Sequence, residues 1–460
     1  GKVNKQSCDF YCNANYEWYQ DFTETKTGIA IDDCEELQKI GNDSNYPLNG
    51  AYYLADNIDC SATNPSDPDN KGSKWDNGGL GFDPIGGQSG FQRWFGGSLD
   101  GNCHTISNLY INRQVGKVGL FSTIGSQSNS TNFPTVVIKN LTLDNINISG
   151  SGYIGGVAAS GSNFAFDNIS VRGNIRMIAK SGDFSIIGGL IGWGRIGSLS
   201  YNNFVGKIDG RSYIGGIIGS AKQVFTKNNY TVADIHGSEI LGGIFGGSDY
   251  QEDYIVVTDS YATGPIHGST NNSIGGLGGE MHVDSQIINS YSTSLVTSDL
   301  QAGSVGGLAG SIRDRSYIQN SYWAKDTSGQ SKCVGSGSDS GCTGVNEANL
   351  LGDKNPFYKN NGWDFKDTWT KTATHPLLNA RLQCGACVES LVSPCRDTDN
   401  GKDIFVKGET YDKGADKPFV DSCADSTHVR EYWCDENSRL ASSPIVCPDT
   451  HVCSDGACIE

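Results

Sequence analysis

Short apolar runs broken by glycine, asparagine and serine recur along the chain. Residues 135–143 read TVVIKNLTL, which has the length and the β-branched content of a strand. Apolar residues spaced three and four apart, the pattern of an amphipathic helix, are not sustained through this region. The pattern predicts many short β-strands joined by turns and disfavours helical repeats.

Two sequence features recur at similar intervals. Gly-Gly pairs return at intervals of 27 to 33 residues, and their second members are Gly156, Gly189, Gly216, Gly243, Gly276 and Gly307. A tyrosine lies about halfway along each later unit, at Tyr230, Tyr261, Tyr291 and Tyr322. Repeats of this length with strand-like composition predict a β-solenoid, in which equivalent residues of successive coils stack about 4.8 Å apart.

The glycines of the repeat have two structural explanations. In the run Tyr213-Ile-Gly-Gly-Ile-Ile-Gly219, a period of two places Ile214, Gly216 and Ile218 on one face of a strand. A glycine there either lets two walls approach closely or supplies the positive φ of a sharp corner. The sequence leaves both explanations open.

Several strings resemble a known family. The units GGLIG (188–192) and SYATG (260–264) are similar to the GLUG repeats of bacterial and archaeal surface proteins. Residues 52–62, 81–86 and 95–113 resemble the opening coils of such proteins, and residues 321–330 and 362–370 resemble their closing segment. The resemblance implies an all-β fold, a right-handed parallel β-helix exposed outside the cell, and it implies no particular activity.

These patterns divide the chain into five parts. We predict an N-terminal arm (1–27), a cap with the first coils (28–113), a GLUG-like solenoid (114–330), a closing segment (331–383) and a small disulfide-rich β domain (384–460). The last part resembles a Cys-rich domain found near the ends of archaeal surface proteins. We expect the arm either to pair with a neighbouring subunit by strand addition or to pack on its own solenoid.

Fifteen cysteines indicate an oxidising, extracellular location. Cys34 with Cys60, Cys8 with Cys12, and Cys333 with Cys342 are local pairs, and Cys103 is left over as either a buried free thiol or an interchain bond; the free thiol is favoured. The chain opens at Gly1 without a signal segment, so we expect a processed form. The further disulfide candidates are Cys384, Cys387, Cys395, Cys423, Cys434, Cys447, Cys453 and Cys458.

The net charge of the chain limits the kinds of partner that it can bind. The net charge is -17 and the sequence pI is near 4.8, which opposes binding along a phosphate backbone, so we predict no nucleic-acid partner. No apolar run reaches the roughly 20 residues of a membrane span. Asp397, Asp399, Asn400 and Asp403 begin like a calcium loop, but Gly408 stands where its final glutamate belongs, so a β-turn is favoured and no cofactor is predicted.

Catalytic motifs are not found. The strings His-Glu-x-x-His, Gly-x-Ser-x-Gly and the phosphate-binding loop do not occur in a suitable setting. Carboxylates recurring one coil apart would indicate a polysaccharide-active β-helix, but Asp234 is followed at the equivalent place by Pro265. We therefore predict a protein that is not an enzyme.

Two surface features bear on function. The tyrosine column is either a spine inside the coil, which is favoured, or an exposed strip that binds glycans. Asn-x-Ser/Thr sequons predict glycosylation candidates at Asn42, Asn129, Asn140, Asn147, Asn168, Asn229 and Asn271.

Together these patterns favour an extracellular structural protein that associates with itself as a subunit of a cell-surface filament or layer. A glycan-binding adhesin and a polysaccharide-active enzyme are the alternatives.

Overall fold

Parallel strands that stack in register build most of this chain. The computed structural model describes residues 27–87, 93–125, 135–178, 184–248, 254–270, 273–299, 303–350, 362–370, 375–379, 395–397, 404–405, 407, 409–412, 419–434, 440–448 and 451–459. The chain divides into two compact units, one within residues 20–384 and one within residues 385–460. The larger unit is a β-solenoid, and the smaller one is built of short antiparallel strands.

The first coil is closed by a short helix. Asp33 caps helix Cys34–Lys39, because its side chain accepts a hydrogen bond from the backbone N–H of Glu36 at 2.7 Å. A disulfide joins Cys34 to Cys60, the pairing expected from the sequence. The first strand, Ile29–Ile31, pairs in parallel with Ala51–Leu54.

One face of the solenoid, the Gly-Gly wall, is a parallel sheet of seven strands. Each strand but the first ends on the first glycine of a Gly-Gly pair. The strands are Lys117–Val118, Gly152–Gly155, Ser185–Gly188, Tyr213–Gly215, Ile240–Gly242, Ser273–Gly275 and Ser304–Gly306.

The remaining faces form one continuous sheet of 26 strands, whose pairings are parallel. These strands are Ile29–Ile31, Ala51–Leu54, Ile58–Asp59, Ser98–Asp100, Thr105–Ser107, Tyr110–Asn112, Phe121–Ile124, Val136–Gly150, Ala158–Met177, Ile191–Ser200, Asn203–Asp209, Ile218–Lys227, Tyr230–Gly237, Phe245–Ser248, Ile255–Thr258, Tyr261–Thr263, Ile266–Gly268, Gly278–Met281, Gln286–Ile288, Tyr291–Ser292, Val296–Ser298, Ala309–Ile312, Tyr317–Gln319, Ser321–Ala324, Val334–Ser336 and Cys342–Val345.

Helices are few and short in the described residues. Besides Cys34–Lys39, they are Lys325–Ser328, Glu347–Leu350 and the two 3-10 turns Ser61–Thr63 and Pro68–Asn70. A small antiparallel pair, Trp369–Thr370 with Leu377–Leu378, follows the last coil. In the described part of the chain, no helix has the length and hydropathy needed to cross a membrane.

The core fills the inside of the coils with apolar side chains that alternate with outward-facing ones. Ile214, Ile218, Phe204 and Ile235 are fully buried members of one continuous cluster that runs through the stacked coils. Burial of such a side chain contributes roughly 1.5–3 kcal/mol, so the stacked rungs supply the main stabilisation.

The Gly-Gly pairs are positions of close approach. A Cβ on Gly216 would lie 2.2 Å from the carbonyl oxygen of Gly243 on the next coil and 2.6 Å from Cγ2 of Thr231 on the facing wall. Gly216 does not have a positive φ. Of the two explanations that the sequence left open, close approach of two walls therefore holds at this position, and a positive φ does not.

Corners with a positive φ are made mainly by asparagine. One column of stacked corner residues has φ between 48° and 58°; it comprises Asn140, Asn168, Tyr201, Asn228, Asp259, Asn289 and Asn320. Asparagine and aspartate tolerate this left-handed conformation better than other residues with a side chain. The abundance of asparagine in the repeat thus reflects backbone geometry.

The smaller unit contains short antiparallel strands held by disulfides. Its strands are Cys395–Asp397, Glu409–Asp412, Phe419–Val420, Ser422–Asp425, His428–Cys434, Leu440–Val446, Val452–Ser454 and Ala457–Ile459. Disulfides join Cys423 to Cys453 and Cys447 to Cys458. The predicted all-β architecture, a parallel solenoid with a small disulfide-bearing β unit, is confirmed.

The solenoid contains further disulfide-bonded cysteines. Cys333 is bonded to Cys342, as their spacing suggested. Cys103 is exposed and disulfide-bonded, so the favoured alternative of a buried free thiol was wrong. Cys8, Cys12, Cys384 and Cys387, and the side chains of Cys395 and Cys434, lie outside the described residues, as does the candidate calcium loop.

Candidate functional site

The four tyrosines of the repeat stack in register. Tyr230 pairs with Tyr261, Tyr261 with Tyr291, and Tyr291 with Tyr322 on successive parallel strands. The ring centroids of Tyr230 and Tyr261 are 5.1 Å apart with an interplanar angle of 7°, and those of Tyr261 and Tyr291 are 5.1 Å apart at 6°. We call these four residues the tyrosine ladder.

The ladder faces away from the interior of the coil. Ala262, the strand neighbour of Tyr261, belongs to the apolar core inside the coils, whereas Tyr261, Tyr291 and Tyr322 belong to a separate buried cluster. Adjacent residues of a strand point to opposite faces. The favoured expectation of a spine inside the coil is therefore corrected: the rings lie on the outer surface of the wall.

The ladder is nevertheless buried, because residues 362–370 and 375–379, here called the cover, pack over it. Trp369 lies 6.3 Å from Tyr261 and 5.9 Å from Tyr291, measured between ring centroids, and Trp363 lies 5.6 Å from Tyr322. The hydroxyl of Tyr291 donates a hydrogen bond of 2.6 Å to the carbonyl oxygen of Pro376.

Burial also determines the ionisation of the ladder. It raises the pKa of Tyr230 and raises that of Tyr261 well above the ordinary value, since a phenolate would lose its hydration. Tyr230, at the end of the ladder, is half-buried, while the other three rings are not accessible to a glycan. The alternative of an exposed sugar-binding strip is thus closed along most of its length.

A second column runs beside the ladder and accounts for the residue that precedes each tyrosine. The backbone N–H of Asn229 donates to Ser260 Oγ at 3.1 Å, that of Ser260 to Ser290 Oγ at 3.0 Å, and that of Ser290 to Ser321 Oγ at 3.2 Å. Each buried N–H is satisfied by a side chain one coil further along. The serine of the Ser-Tyr motif therefore has a structural role, because its hydroxyl accepts a hydrogen bond from the backbone of the neighbouring coil.

A buried carboxylate lies at the corner beside the ladder. Asp259 occupies the positive-φ column between Asn228 and Asn289, with φ of 48°. Burial raises its pKa, and the Lys227 ammonium at 3.7 Å offsets part of that rise. Asp259 stands alone in its column, so it provides no carboxylate pair for glycoside hydrolysis.

Two histidine clusters were missed in the sequence. His236 and His267 are one coil apart, and their rings are 5.8 Å apart. Nε2 of His236 lies 2.8 Å from Asp234 Oδ1, and Nε2 of His267 lies 3.4 Å from Asp299 Oδ1. The spacing of 31 residues between the histidines was the signal that could have revealed this contact.

The second cluster is centred on a buried histidine. His282 is 2% exposed, its Nε2 lies 3.3 Å from Glu280 Oε2, and its Nδ1 lies 3.5 Å from Asp314 Oδ2. The hydrogen bond with Glu280 is the main reason why the pKa of His282 is raised. Among the residues that the structure describes, no group of three or more His, Cys, Asp or Glu side chains is arranged to hold a metal ion.

The sequons differ in their accessibility. Asn42 and Asn147 are exposed, whereas Asn140 and Asn168 are half-buried and bonded to each other at 3.0 Å in the corner column. Asn229 is fully buried, and its Nδ2 donates to the carbonyl oxygen of Leu199 at 2.8 Å. A glycan on Asn229 is incompatible with the folded coil, so this candidate is corrected. Asn129 and Asn271 lie outside the described residues.

Comparison with known proteins gives one relative by sequence. No family model matches the chain, so membership of the GLUG family is not shown. Halomucin of Haloquadratum walsbyi (strain DSM 16790 / HBSQ001) is 35% identical over 170 residues, which are 37% of this chain and 2% of halomucin. This chain therefore spans only a small part of the length of that relative.

Two solved structures are similar in fold at 14% identity. A candidate immunoglobulin A1 protease from Bacteroides ovatus has a TM-score of 0.46 over 78% of this chain and 93% of its own. A structure named IgA1 Protease has a TM-score of 0.43 over 90% of this chain and 34% of its own. Because both carry the name of an enzyme, the prediction that this chain is not an enzyme is corrected. At this identity and these TM-scores they assign no activity to it.

Proposed function

We propose that this chain is an extracellular structural protein that contributes a rigid β-solenoid to a cell-surface filament or layer. The observation that carries the proposal is the stack of parallel coils, held by one disulfide at its first coil, Cys34–Cys60, and by another near its last, Cys333–Cys342. Each disulfide limits the freedom of the unfolded chain and so favours the closed coil. Such a rod suits a load-bearing position outside the cell.

Two further observations support a surface location. Fifteen cysteines, eight of them in the four described disulfides, suit an oxidising environment. Similarity to a segment of halomucin supports a place among surface proteins. The alternative of a glycan-binding strip along the tyrosine ladder is disfavoured, because the cover buries three of its four rings.

Electron microscopy of native material tests the proposal. We expect regular filaments or sheets that contain this chain, and concentration-dependent assembly of the purified chain in sedimentation velocity. A variant in which Cys34 and Cys60 are both serine tests how much the rigidity of the solenoid contributes to assembly. It should lose roughly 2–4 kcal/mol of stability, and its assemblies should be less regular. A monodisperse monomer at high concentration, with no ordered native assembly, would contradict the proposal.

A further inference from the structure

A polar cavity of about 430 Å³ lies on the outer surface of the first coils. Residues 61–68 form one side, Tyr110, Asn147 and Asn174 form the other, and Asn108 and Asn145 lie between them. This volume falls within the range of roughly 300–1,000 Å³ that is usual for small-molecule sites. The cavity is separate from the tyrosine ladder and from both histidine clusters.

The solenoid register builds one side of the cavity. Tyr110 pairs with Asn147, and Asn147 pairs with Asn174, so three successive coils present these side chains in one outward column. The pairing shifts between Val171 and Gly173, which marks a β-bulge beside the column. Bulges re-aim side chains and are frequent next to binding sites.

Local hydrogen bonds hold the base of the cavity in place. Asn108 and Asn145 have positive φ values of 60° and 52°, and Asn145 Nδ2 donates to Asn108 Oδ1 at 2.7 Å. Asn108 Nδ2 in turn donates to Asp59 Oδ1 at 2.8 Å. These two amides are therefore committed to the scaffold.

The opposite side is also fixed. Thr63 Oγ1 donates to the carbonyl oxygen of Cys60 at 2.6 Å and accepts from the backbone N–H of Tyr110 at 2.9 Å. Asn70 Nδ2 donates to the carbonyl oxygen of Ala62 at 2.8 Å, and Cys60 is held by its disulfide. A preformed cavity of this kind loses little conformational entropy when a ligand enters.

The amides of Asn147 and Asn174 are available to a ligand. Both line the cavity and are exposed, and within the described chain neither side chain makes a hydrogen bond. An amide offers two donors and an acceptor with two lone pairs, which matches a sugar hydroxyl that both donates and accepts. Among the described residues, Asp67 is the one charged residue that lines the cavity, and no described Lys or Arg lines it, so an anionic ligand is disfavoured.

From this arrangement we infer that the cavity is a binding site for a neutral saccharide, with Asn147 and Asn174 as its hydrogen-bonding groups. The sugar has two sources. It is either a free glycan or the first residues of a glycan attached to Asn147, which is itself an exposed sequon. The sugar chemistry is the same in both cases, but for the attached glycan Asn147 is the point of attachment and Asn174 is the hydrogen-bonding group. The experiment separates the two sources.

The first arm uses the full chain produced in a host without N-glycosylation. It is applied to an array of neutral glucose, galactose, mannose and N-acetylglucosamine oligosaccharides together with their uronic-acid counterparts. The best neutral oligosaccharide is then titrated by calorimetry. We expect Asn147→Ala and Asn174→Ala each to weaken binding about five- to tenfold, the usual effect of losing one hydrogen bond. Lys207→Ala changes the next residue of the same column, outside the cavity, and should leave affinity unchanged.

The second arm uses the native protein and maps glycans on its peptides by mass spectrometry. Array binding that the two asparagine variants weaken identifies a free glycan as the ligand. A glycan on Asn147 without array binding identifies the attached source if Asn174→Ala makes that glycan more sensitive to glycosidase. A glycan that is equally sensitive in both proteins would overturn the inference. Tighter binding of uronic acids, equal binding by all variants, or neither binding nor a glycan at Asn147 would overturn the inference.

Discussion

The close approach of the Gly-Gly wall makes Gly216→Ala a sharp test of how the solenoid is held together. The new Cβ would lie 2.2 Å from the carbonyl oxygen of Gly243, a backbone atom that cannot move without disturbing its own coil. That oxygen accepts hydrogen bonds from the backbone N–H of Gly216 at 3.1 Å and from Thr231 Oγ1 at 2.8 Å. One added methyl group therefore strains three groups at once.

The expected cost follows from these contacts. Overpacking costs about 1–3 kcal/mol, and weakening two neutral hydrogen bonds adds about 1 kcal/mol each, so Gly216→Ala should lose about 3–5 kcal/mol. With a urea m-value of about 3 kcal/mol/M, the unfolding midpoint should fall by at least about 1 M. Gly116→Ala is the matched control, because a Cβ there meets nothing within 4 Å and its φ is not positive. This control should change stability by less than about 0.5 kcal/mol.

Urea unfolding followed by circular dichroism measures both variants. Adding Thr231→Ser to Gly216→Ala removes the methyl group of Thr231, 2.6 Å from the new Cβ, but leaves the contact with the carbonyl oxygen of Gly243. We expect little recovery from this second change. Full recovery would show that the contact with Thr231 on the facing wall, and not the contact with Gly243, causes the loss of stability. An equal effect of Gly216→Ala and Gly116→Ala would refute the argument from close approach.

Three further predictions concern the buried groups. Trp369→Ala should destabilise the cover by about 3–5 kcal/mol and expose tyrosines to iodination, whereas the exposed Lys366→Ala should do neither. Asp259→Asn should stabilise the fold at pH 7, because burial raises the pKa of the Asp259 carboxyl and its ionised form destabilises the fold above that pKa. In urea unfolding at a series of pH values, this gain in stability should vanish below about pH 3.8, where the carboxyl is protonated in the folded and the unfolded chain. His282→Gln should remove stability that is fully present below about pH 6.5 and lost as pH rises through the raised folded pKa, so it should flatten the stability profile above that pH.

The coil period and the stacking of the tyrosines were predictable from the sequence, because both depend on repeated spacing. Which face of the wall the tyrosines occupy was not predictable. A period of two separates the faces of a strand without saying which is inside. Trp363 and Trp369, which bury the outer face, come 41 and 47 residues after Tyr322. The contact between Glu280 and His282 was also not predictable from the sequence. A Glu-x-His spacing is common, and it becomes informative only when the structure shows that both side chains are buried.

The extent of the tyrosine ladder follows from the cover. By strand pairing, Asn203 and Ser170 occupy the position of Tyr230 on the two preceding coils. Their apolar neighbours Phe204 and Ile169 do not occupy that position, so the tyrosine column continues there as polar residues.

Trp363 and Trp369 contact Tyr261, Tyr291 and Tyr322, and Tyr230, beyond them, is half-buried. An outward aromatic ring is stabilising only where another surface removes it from water, whereas a polar side chain needs no such partner. The aromatic mark therefore belongs to the last coils and not to the repeat as a whole, and the ladder is the strip on which the chain seats its own closing segment.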